Sequence, residues 1–283
     1  MLGEPFWYNV MSMRPRMLSK YRYSLILLRE LVVTEFKLRY QGSVLGYLWS
    51  LLRPLFLFVI LYFVFVHFLK VGSDIPHWPV ALLAGIVLWN FFTEVTNNGL
   101  TAIVNRGDVI RKINFPKYVI ILASTISAFI NLLLNFVVLA VLMAVSGVNP
   151  SISGLLSPLY IMEIFLLALG LAFILSTVFV KLRDVNYIWE IILQALFYAS
   201  AIIYPISLVA ASSPFIAKIM LFNPVTQAIQ DIRHGLIDPQ NTTLYGETHS
   251  ILLSLIPIAV TLGIFIIGVI VFKVRSPHFA EDI

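Results

Sequence analysis

Residues 118–146, YVIILASTISAFINLLLNFVVLAVLMAVS, form an apolar run without a charged side chain. A helix needs about 20 apolar residues to cross the hydrocarbon core of a bilayer, so this run is long enough to span a membrane. Five further runs lie on either side of it, at Tyr47–Leu69, Pro79–Leu100, Leu155–Val180, Ile188–Ile206 and Ile251–Phe272. The sequence therefore predicts an all-α integral membrane fold with six transmembrane helices.

Basic residues are concentrated in alternate connections between these runs. Of the nineteen Lys and Arg residues, eight precede or open the first run and four lie between the second and third. Two more lie between the fourth and fifth runs, and two follow the last. Basic residues near span ends are held on the cytoplasmic side. We therefore expect both termini in the cytoplasm, with residues 1–46 as an N-terminal segment, 47–272 as the transmembrane domain and 273–283 as a tail.

The composition excludes a soluble domain, because 60% of the residues are hydrophobic and only 12% are charged. The isoelectric point of about 9.4 does not indicate nucleic-acid binding, since the basic residues lie beside span ends, where anionic membrane lipid accounts for them. The absence of cysteine excludes disulfides and cysteine-based metal sites. The first 20 residues lack the apolar core of a signal peptide, so the first span is expected to direct membrane insertion.

The basic segment before the first span is expected to form an amphipathic helix. Leu25, Leu28, Val32 and Phe36 fall on one face of such a helix. Two interpretations remain open: a helix that lies at the interface and contacts lipid or protein, and a solvated basic anchor.

The second connection, TAIVNRGDVIRKINFPK at residues 101–117, is the most polar one on the predicted cytoplasmic side. Asp108 is expected to cap a two-turn helix that continues to Asn114 and is ended by Pro116. Its possible contacts are Val109, Ile110, Ile113, Arg111 and Lys112. Positive-inside anchoring explains the same charges, so charge alone does not establish a contact.

The third connection on the outer side, Ser207–Ser250, contains a second predicted helix. Asn223 is the expected N-cap, Pro224 the first helical residue and Gly235 the end. An apolar stripe predicts that this helix is amphipathic and lies at the outer surface: Val225, Ala228, Ile229 and Ile232. The preceding residues 214–222 are apolar but too short to span, as in a re-entrant or interfacial segment.

Three carboxylates fall within the apolar runs, where ionisable groups are costly and suggest function. Glu163 and Glu190 lie near span ends, where water or lipid headgroups are expected to solvate them. Glu94 belongs to a polar series near the cytoplasmic end of the second span, with Asn90, Thr93, Thr96, Asn97 and Asn98. This series either lines a water-filled entrance or simply lies close to the interface.

The chain lacks the motifs of an enzyme. No lysine is followed by Ser or Thr, which excludes the phosphate-binding loop G-x-x-x-x-G-K-[ST]. Neither H-E-x-x-H nor G-x-S-x-G is present. We expect no catalytic residue, no metal and no cofactor in this chain, so energy for active transport would come from a partner or an ion gradient.

Several segments carry a family resemblance. FKLRYQGSVLGYLWSLLRPL at residues 36–55 resembles the entry to the first span in permease subunits of type-2 ABC exporters for polysaccharide, O-antigen and teichoic acid. Later segments are similar to the same family in the same order: RGDVIRKINFPK at 106–117, YPI at 204–206, NPVTQAIQDIRHGL at 223–236 and SPHFAED at 276–282. The match covers nearly the whole chain.

The resemblance implies a homodimer in the bacterial cytoplasmic (inner) membrane, paired with two copies of a separate ATP-binding subunit that binds ATP and Mg. The cargo would be a lipid-linked glycan that moves outward between the permeases. The ATPase-coupling helix would contact the partner through Asp108, Val109, Ile110, Arg111, Lys112 and Ile113. The interface helix, residues 21–41, would contribute Arg29, Phe36, Lys37 and Arg39. Residues 205–236 would hold re-entrant helices that shape the outer exit.

A wide path that binds sugar weakly at many places suits such a cargo, and aromatic and amide side chains provide this kind of contact. We therefore expect the following residues to line the path: Tyr62, Trp89, Asn90, Glu94, Tyr198 and Tyr204. The alternatives are an ABC permease for a small lipid or drug, an ATP-independent secondary transporter, and a membrane-bound lipid-modifying enzyme. The sequence leaves the polymer open among O-antigen, capsule, galactan and teichoic acid.

Overall fold

A computed structural model describes residues 24–35, 37, 42–113 and 115–282. Its elements are all helical within these ranges. Residues 24–35 form α1. The longer helices that follow are α2 (Trp49–Leu61), α3 (Trp78–Asn105), α5 (Tyr118–Val145), α6 (Ser157–Lys181), α7 (Val185–Ala199), α10 (Pro224–Leu236) and α13 (Ile256–Arg275). The shorter ones are α4 (Gly107–Lys112), α8 (Ile206–Ser212), α9 (Pro214–Leu221), α11 (Leu244–Thr248), α12 (Ile251–Ser254) and α14 (Phe279–Asp282).

Among the described residues, five helical segments are long and apolar enough to cross a membrane. They are Gly46–Phe68, where a π-helical stretch prolongs α2, then Trp78–Asn105, Tyr118–Val145, Ile152–Lys181 and Ile251–Asp282. The protein is thus a multi-pass membrane protein. The predicted fifth span, Ile188–Ile206, forms the 15-residue α7 instead, followed by non-helical backbone. At 1.5 Å per residue, α7 is about 22 Å long, which is less than the hydrocarbon thickness of about 30 Å.

The helices pack around two central members, α3 and α6, which are mostly buried, whereas most residues in the segments of α2, α5 and α13 are only partly buried or exposed. Helix α6 packs against both α3 and α13, and α3 also packs against α5. Small residues permit close approach at these crossings. A Cβ atom added to Gly99 of α3 would meet Ala172 of α6, and one added to Gly170 would lie 2.6 Å from the Cα atom of Phe265.

The two ends of the bundle differ. Helix α4 connects the end of α3 to the start of α5, so both lie at the α4 end. Helix α14 packs against α4, and its Asp282 forms an ion pair with Lys181 at the end of α6 (3.8 Å). The end of α6 and α14 therefore lie at the same end. At the α10 end, the Ser151 amide before α6 donates to the Gly235 carbonyl (3.0 Å). The Gln227 side chain there donates to the Ser254 carbonyl before α13 (3.3 Å). Helices α6 and α13 therefore run in parallel.

Helix α10 begins as predicted, because the Asn223 side chain accepts a hydrogen bond from the Val225 amide (3.0 Å). Its predicted apolar stripe is fully buried. Its polar residues Thr226, Gln227, Gln230 and Arg233 are buried as well. Helix α10 has the amphipathic sequence pattern that was predicted, but its polar face is not exposed, because residues on both faces are covered by protein.

The predicted cap of the second connection was also wrong. Helix α4 has Arg106 at its N-cap position, without a side-chain cap, and Asp108 lies in its first turn. The helix ends at Lys112 because Ile113 is extended (φ −128°, ψ 129°), so it is shorter than predicted. Asn114 lies outside the described residues.

Candidate functional site

A cavity of about 690 Å³ lies between α2, α3 and α5. Helix α3 contributes the polar series that the sequence indicated, except Thr96, which is fully buried away from the cavity, and α5 adds two further amides. The polar and charged lining residues are Ser50, Arg53, Asn90, Thr93, Glu94, Asn97, Asn98, Asn131 and Asn135, beside the indole of Trp49. A cavity of this kind within apolar helices provides a water-accessible surface that is rich in hydrogen-bonding groups.

Hydrogen bonds hold the amides of the cavity in place. The Asn131 side chain donates from Nδ2 to Oε1 of Glu94 (2.9 Å), which links α5 to α3. Nδ2 of Asn135 donates to the Asn131 carbonyl (2.8 Å) and to the Ser50 carbonyl (3.2 Å), which links α5 to α2. Oδ1 of Asn131 is buried without a partner among the described residues. Amides present donors and acceptors side by side, as the hydroxyl groups of a sugar require.

A second cavity of about 340 Å³ continues toward the α4 end. Asn98 lines both cavities, and Thr101, Asn105 and Arg106 continue the lining. These residues extend the polar series of α3 by two more turns, because positions three or four apart share a helix face. The polar face of α3 thus runs from the middle of the helix to its junction with α4.

The predicted coupling residues lie in α4 and at Ile113, directly after the end of α3. Ile110 is buried (5% exposed), whereas Val109 and Ile113 are 39% and 48% exposed. Asp108, Arg111 and Lys112 are also exposed. Ile110 thus anchors α4 to the bundle, and the other residues form a mixed apolar and charged surface that faces away from it.

The predicted interface helix is partly described. Arg29 and Lys37 are exposed, and Phe36 and Arg39 lie outside the described residues. Leu27 and Leu31 pack against the core, whereas Leu25 of the predicted apolar face is 64% exposed. An ion pair between Glu35 and Arg106 (Oε1 to Nη2, 2.5 Å) joins α1 to the start of α4.

The six residues predicted to line the path are dispersed. Asn90 and Glu94 line the larger cavity. Trp89 is 6% exposed and packs against Phe92 and Phe197, with ring centroids 5.5 and 5.8 Å away. Tyr62 is half-buried and contacts neighbouring rings of its own segment. Tyr198 is 61% exposed, and the Tyr204 hydroxyl donates to its carbonyl oxygen (2.5 Å).

Sequence reasoning missed a buried arginine at the α10 end. Arg233 is fully buried and donates three hydrogen bonds, to the carbonyl oxygens of Ala81 (2.8 Å), Ala201 (2.9 Å) and Ile202 (2.6 Å). Its guanidinium carbon lies 5.0 Å from the ring centroid of Trp78, a cation–π contact. Arg233 thereby pairs the carbonyl oxygens of Ala201 and Ile202 in the non-helical segment after α7, where both residues are buried away from solvent.

Two carboxylates lie close together at the same end. Glu163 of α6 is 6% exposed, so the expectation that water or headgroups solvate it was wrong; it lies within electrostatic range of Asp231 on α10. Burial raises the pKa of Asp231 to about 6, opposed by a hydrogen bond from Gln227 and by the nearby His234. No group of three or more Asp, Glu, His or Cys side chains in the described part of the chain is arranged to hold a metal.

Comparison with known proteins identifies the family of this chain. The family model for the ABC-2 type transporter matches residues 26–237. Two proteins from Klebsiella pneumoniae, each named O-antigen export system permease protein RfbA, are 29% and 28% identical over 267 and 271 residues. Each alignment covers 93% of this chain and 98% of the relative.

A Myxococcus xanthus protein of the same name is 30% identical over 198 residues, or 70% of this chain and 74% of that protein. The family match spans α1 to α10 and includes both cavities and α4. On these grounds, the chain belongs to the membrane family of ABC-2 type transporters.

Proposed function

We propose that this chain is the permease of an ATP-driven exporter that moves a lipid-linked polysaccharide of the O-antigen class out across the cytoplasmic membrane. The observation that carries the proposal is the polar face of α3. It lines both cavities at Asn98 and ends at α4, the predicted contact with an ATP-binding subunit. The names of the relatives support the polysaccharide class.

In this proposal the chain crosses the membrane six times. Helices α6 and α13 run in parallel, so the residues between them must return from the α4 end to the α10 end. Helix α7 starts beside α6, and the residues that follow it are bound by Arg233 at the α10 end. Helix α7 and the non-helical segment 200–205 would therefore form the remaining crossing.

The same proposal assigns the α4 end to the cytoplasm, because Arg111, Lys112, Lys117, Lys181 and Arg183 cluster there. The short helices α8 and α9 pack against each other and expose Leu208, Phe215 and Ile219. We assign them to a re-entrant pair at the outer face, where lipid would cover these apolar side chains.

The chain would act as a homodimer with two copies of an ATP-binding subunit, which would hold ATP and Mg. ATP-driven closure of that pair would move α4 and, through α3, change the shape of the cavities. Amide contacts would bind sugar weakly and repeatedly, so that no single position retains the polymer. Membership of the ABC-2 family argues against an ATP-independent transporter.

Filling the cavity tests the proposal. Asn97→Trp places a large ring in the cavity, and Asn149→Trp makes the same change at an exposed position near the α10 end. Each variant would replace the native chain in its source cell, and surface polysaccharide would be measured at matched membrane levels. We expect the Asn97 variant to lose export and the Asn149 variant to retain it. Full export by the Asn97 variant would contradict the proposed path.

A second arm tests the motor. The purified permease and its ATP-binding subunit would be reconstituted in vesicles with a lipid-linked glycan, with a hydrolysis-deficient ATP-binding subunit as the control. Glycan translocation is expected only with the active subunit and ATP. Equal translocation with the inactive subunit would refute an ATP-driven exporter.

A further inference from the structure

Residues 276–282, the last that the structure describes, pack under the bundle instead of extending into solvent. After α13, a 3₁₀ turn at Ser276–His278 leads directly into α14. Phe279 is 1% exposed, and its ring meets Phe272 of α13 at a centroid distance of 5.3 Å. Phe272 in turn lies 4.9 Å from Phe173 of α6. Three aromatic rings thus connect the tail to two spans.

Polar contacts attach the same segment to two further points. The Lys117 ammonium, at the start of α5, donates to the carbonyl oxygens of Ser276 (2.5 Å) and Pro277 (3.3 Å). Burial lowers the pKa of Lys117, and the nearby Glu281 opposes this change. Asp282 forms an ion pair with Lys181 at the end of α6 (3.8 Å). The tail therefore contacts α5, α6 and α13 within seven residues.

Helix α14 also packs against α4. Helix α4 has six residues, which is too short to be stable without tertiary contacts. Ile110 is its buried apolar anchor, and both Ile110 and Phe279 belong to one continuous core. Glu281 and Asp282 of the tail are exposed, and the basic groups near them are Lys117 and Lys181.

We propose that residues 276–282 form a strap that holds α4 against α6 and α13, with Phe279 and Lys117 as positioning residues. This inference rests on the proposed function, in which an ATP-binding subunit moves α4. With the strap in place, a displacement of α4 is passed to α13 and α6 as well as to α3. Without the strap, a displacement of α4 would move α13 and α6 by a smaller amount.

A tail that served only as a basic membrane anchor would behave differently. Its neutral residues would be exposed, and removal of one apolar side chain would leave transport unchanged. A purely structural role also has a distinct signature, because loss of folded protein lowers ATP hydrolysis and transport in the same proportion. The strap predicts a change in their ratio.

The first experiment measures that ratio with the full permease and its ATP-binding subunit in vesicles. Phe279→Ala and Lys117→Met are the test variants, Lys117→Arg is the conservative variant, and His278→Ala is the control at an exposed tail position. We expect glycan moved per ATP to fall at least about fivefold in the two test variants, a coupling loss within the usual range. Lys117→Arg should retain most of the coupling, and His278→Ala all of it. An unchanged ratio in both test variants would overturn the strap.

The second experiment needs no partner and no cargo, so it separates failure of the strap from failure of the proposed function. The chain has no cysteine, so Asp108→Cys allows a single nitroxide label on α4. We expect the label on the full-length permease to become more mobile with Phe279→Ala and to keep its mobility with His278→Ala. Equal label mobility in both variants would show that the tail does not hold α4.

Discussion

Gly170 of α6 and Gly268 of α13 face each other where the two parallel helices cross, with no room for a side chain between them. A Cβ atom added to Gly268 would meet the carbonyl oxygen of Gly170, which is backbone and has little freedom to move. The close approach permits extensive helix packing, which in a membrane depends on van der Waals contact instead of the hydrophobic effect.

Gly268→Ala is therefore expected to destabilise the protein. Overpacking at a rigid contact costs about 1–3 kcal/mol, because α13 must shift away from α6. Gly263→Ala is the matched control on the same helix, since a Cβ atom there meets nothing within 4 Å. The thermal unfolding midpoint in detergent should fall for Gly268→Ala alone. Equal midpoints for the two variants would contradict this crossing.

Arg233→Met is expected to lower the free energy of unfolding by more than the same substitution at an exposed arginine. It would leave the carbonyl oxygens of the non-helical residues Ala201 and Ile202 without their donor, and each unpaired buried group costs about 1–3 kcal/mol. It would also remove the second hydrogen bond to the Ala81 carbonyl in α3. Arg233→Lys keeps the charge, but one ammonium does not reproduce the planar fork of the guanidinium, so it should also destabilise. Arg275→Met, at an exposed arginine, is the control. Thermal unfolding of the three variants tests the role of the guanidinium.

Asp231 is expected to make stability depend on pH. Its pKa in the folded protein is about 6, above the ordinary value of 3.8, so the folded state binds more protons between these values. Its contribution therefore favours folding at low pH and declines as the pH rises from about 4 through 6. A shift of about two units corresponds to about 3 kcal/mol.

Unfolding midpoints of the native protein and of Asp231→Asn, measured from pH 4 to 7, test this dependence. The groups near Asp231 are Gln227, His234, Glu163 and Tyr160. We expect the Asn variant to gain stability relative to the native protein as the pH rises through 6. A constant difference across the range would show that Asp231 does not titrate there.

Substitutions in α4 should separate docking from anchoring. Val109→Asp changes an exposed side chain, so it is expected to weaken co-purification of the ATP-binding subunit while the permease keeps its unfolding midpoint. Ile110→Asp buries a carboxylate, so it should lower the midpoint as well. Ile152→Asp, an exposed apolar position at the other end, is the control for docking. Normal recovery of the partner with Val109→Asp would exclude this face of α4.

Hydropathy predicted five of the spans well because each is a long apolar run in one continuous helical segment. The fifth run was different, since residues 200–205 near its end leave the helix, and Ala201 and Ile202 among them are bound by Arg233, which is distant in sequence. Local pattern carries no information about such a contact. The cap at Asn223 was predictable because its hydrogen bond is local, to Val225.

The sequence predicted only part of the lining of the larger cavity. Its α3 side appeared as the polar series around Glu94, but Asn131 and Asn135 lay unnoticed in the longest apolar run. Their spacing of four residues places them on one helix face, and this is the signal that indicates a polar lining. The sequence of one helix does not show which other helices pack against it, so the position of the cavity between α2, α3 and α5 could not be predicted.

The reach of Arg233 also sets an order of biogenesis. The ribosome completes Ala81 and Ala201 before Arg233, which follows them by 152 and 32 residues. The ribosome synthesises a polypeptide from its N-terminus at roughly 5–20 residues per second. Until translation has reached Arg233, the carbonyl oxygens of Ala201 and Ile202 after α7 lack this donor. The middle of the protein is therefore completed late, when a residue from the last fifth of the polypeptide closes it.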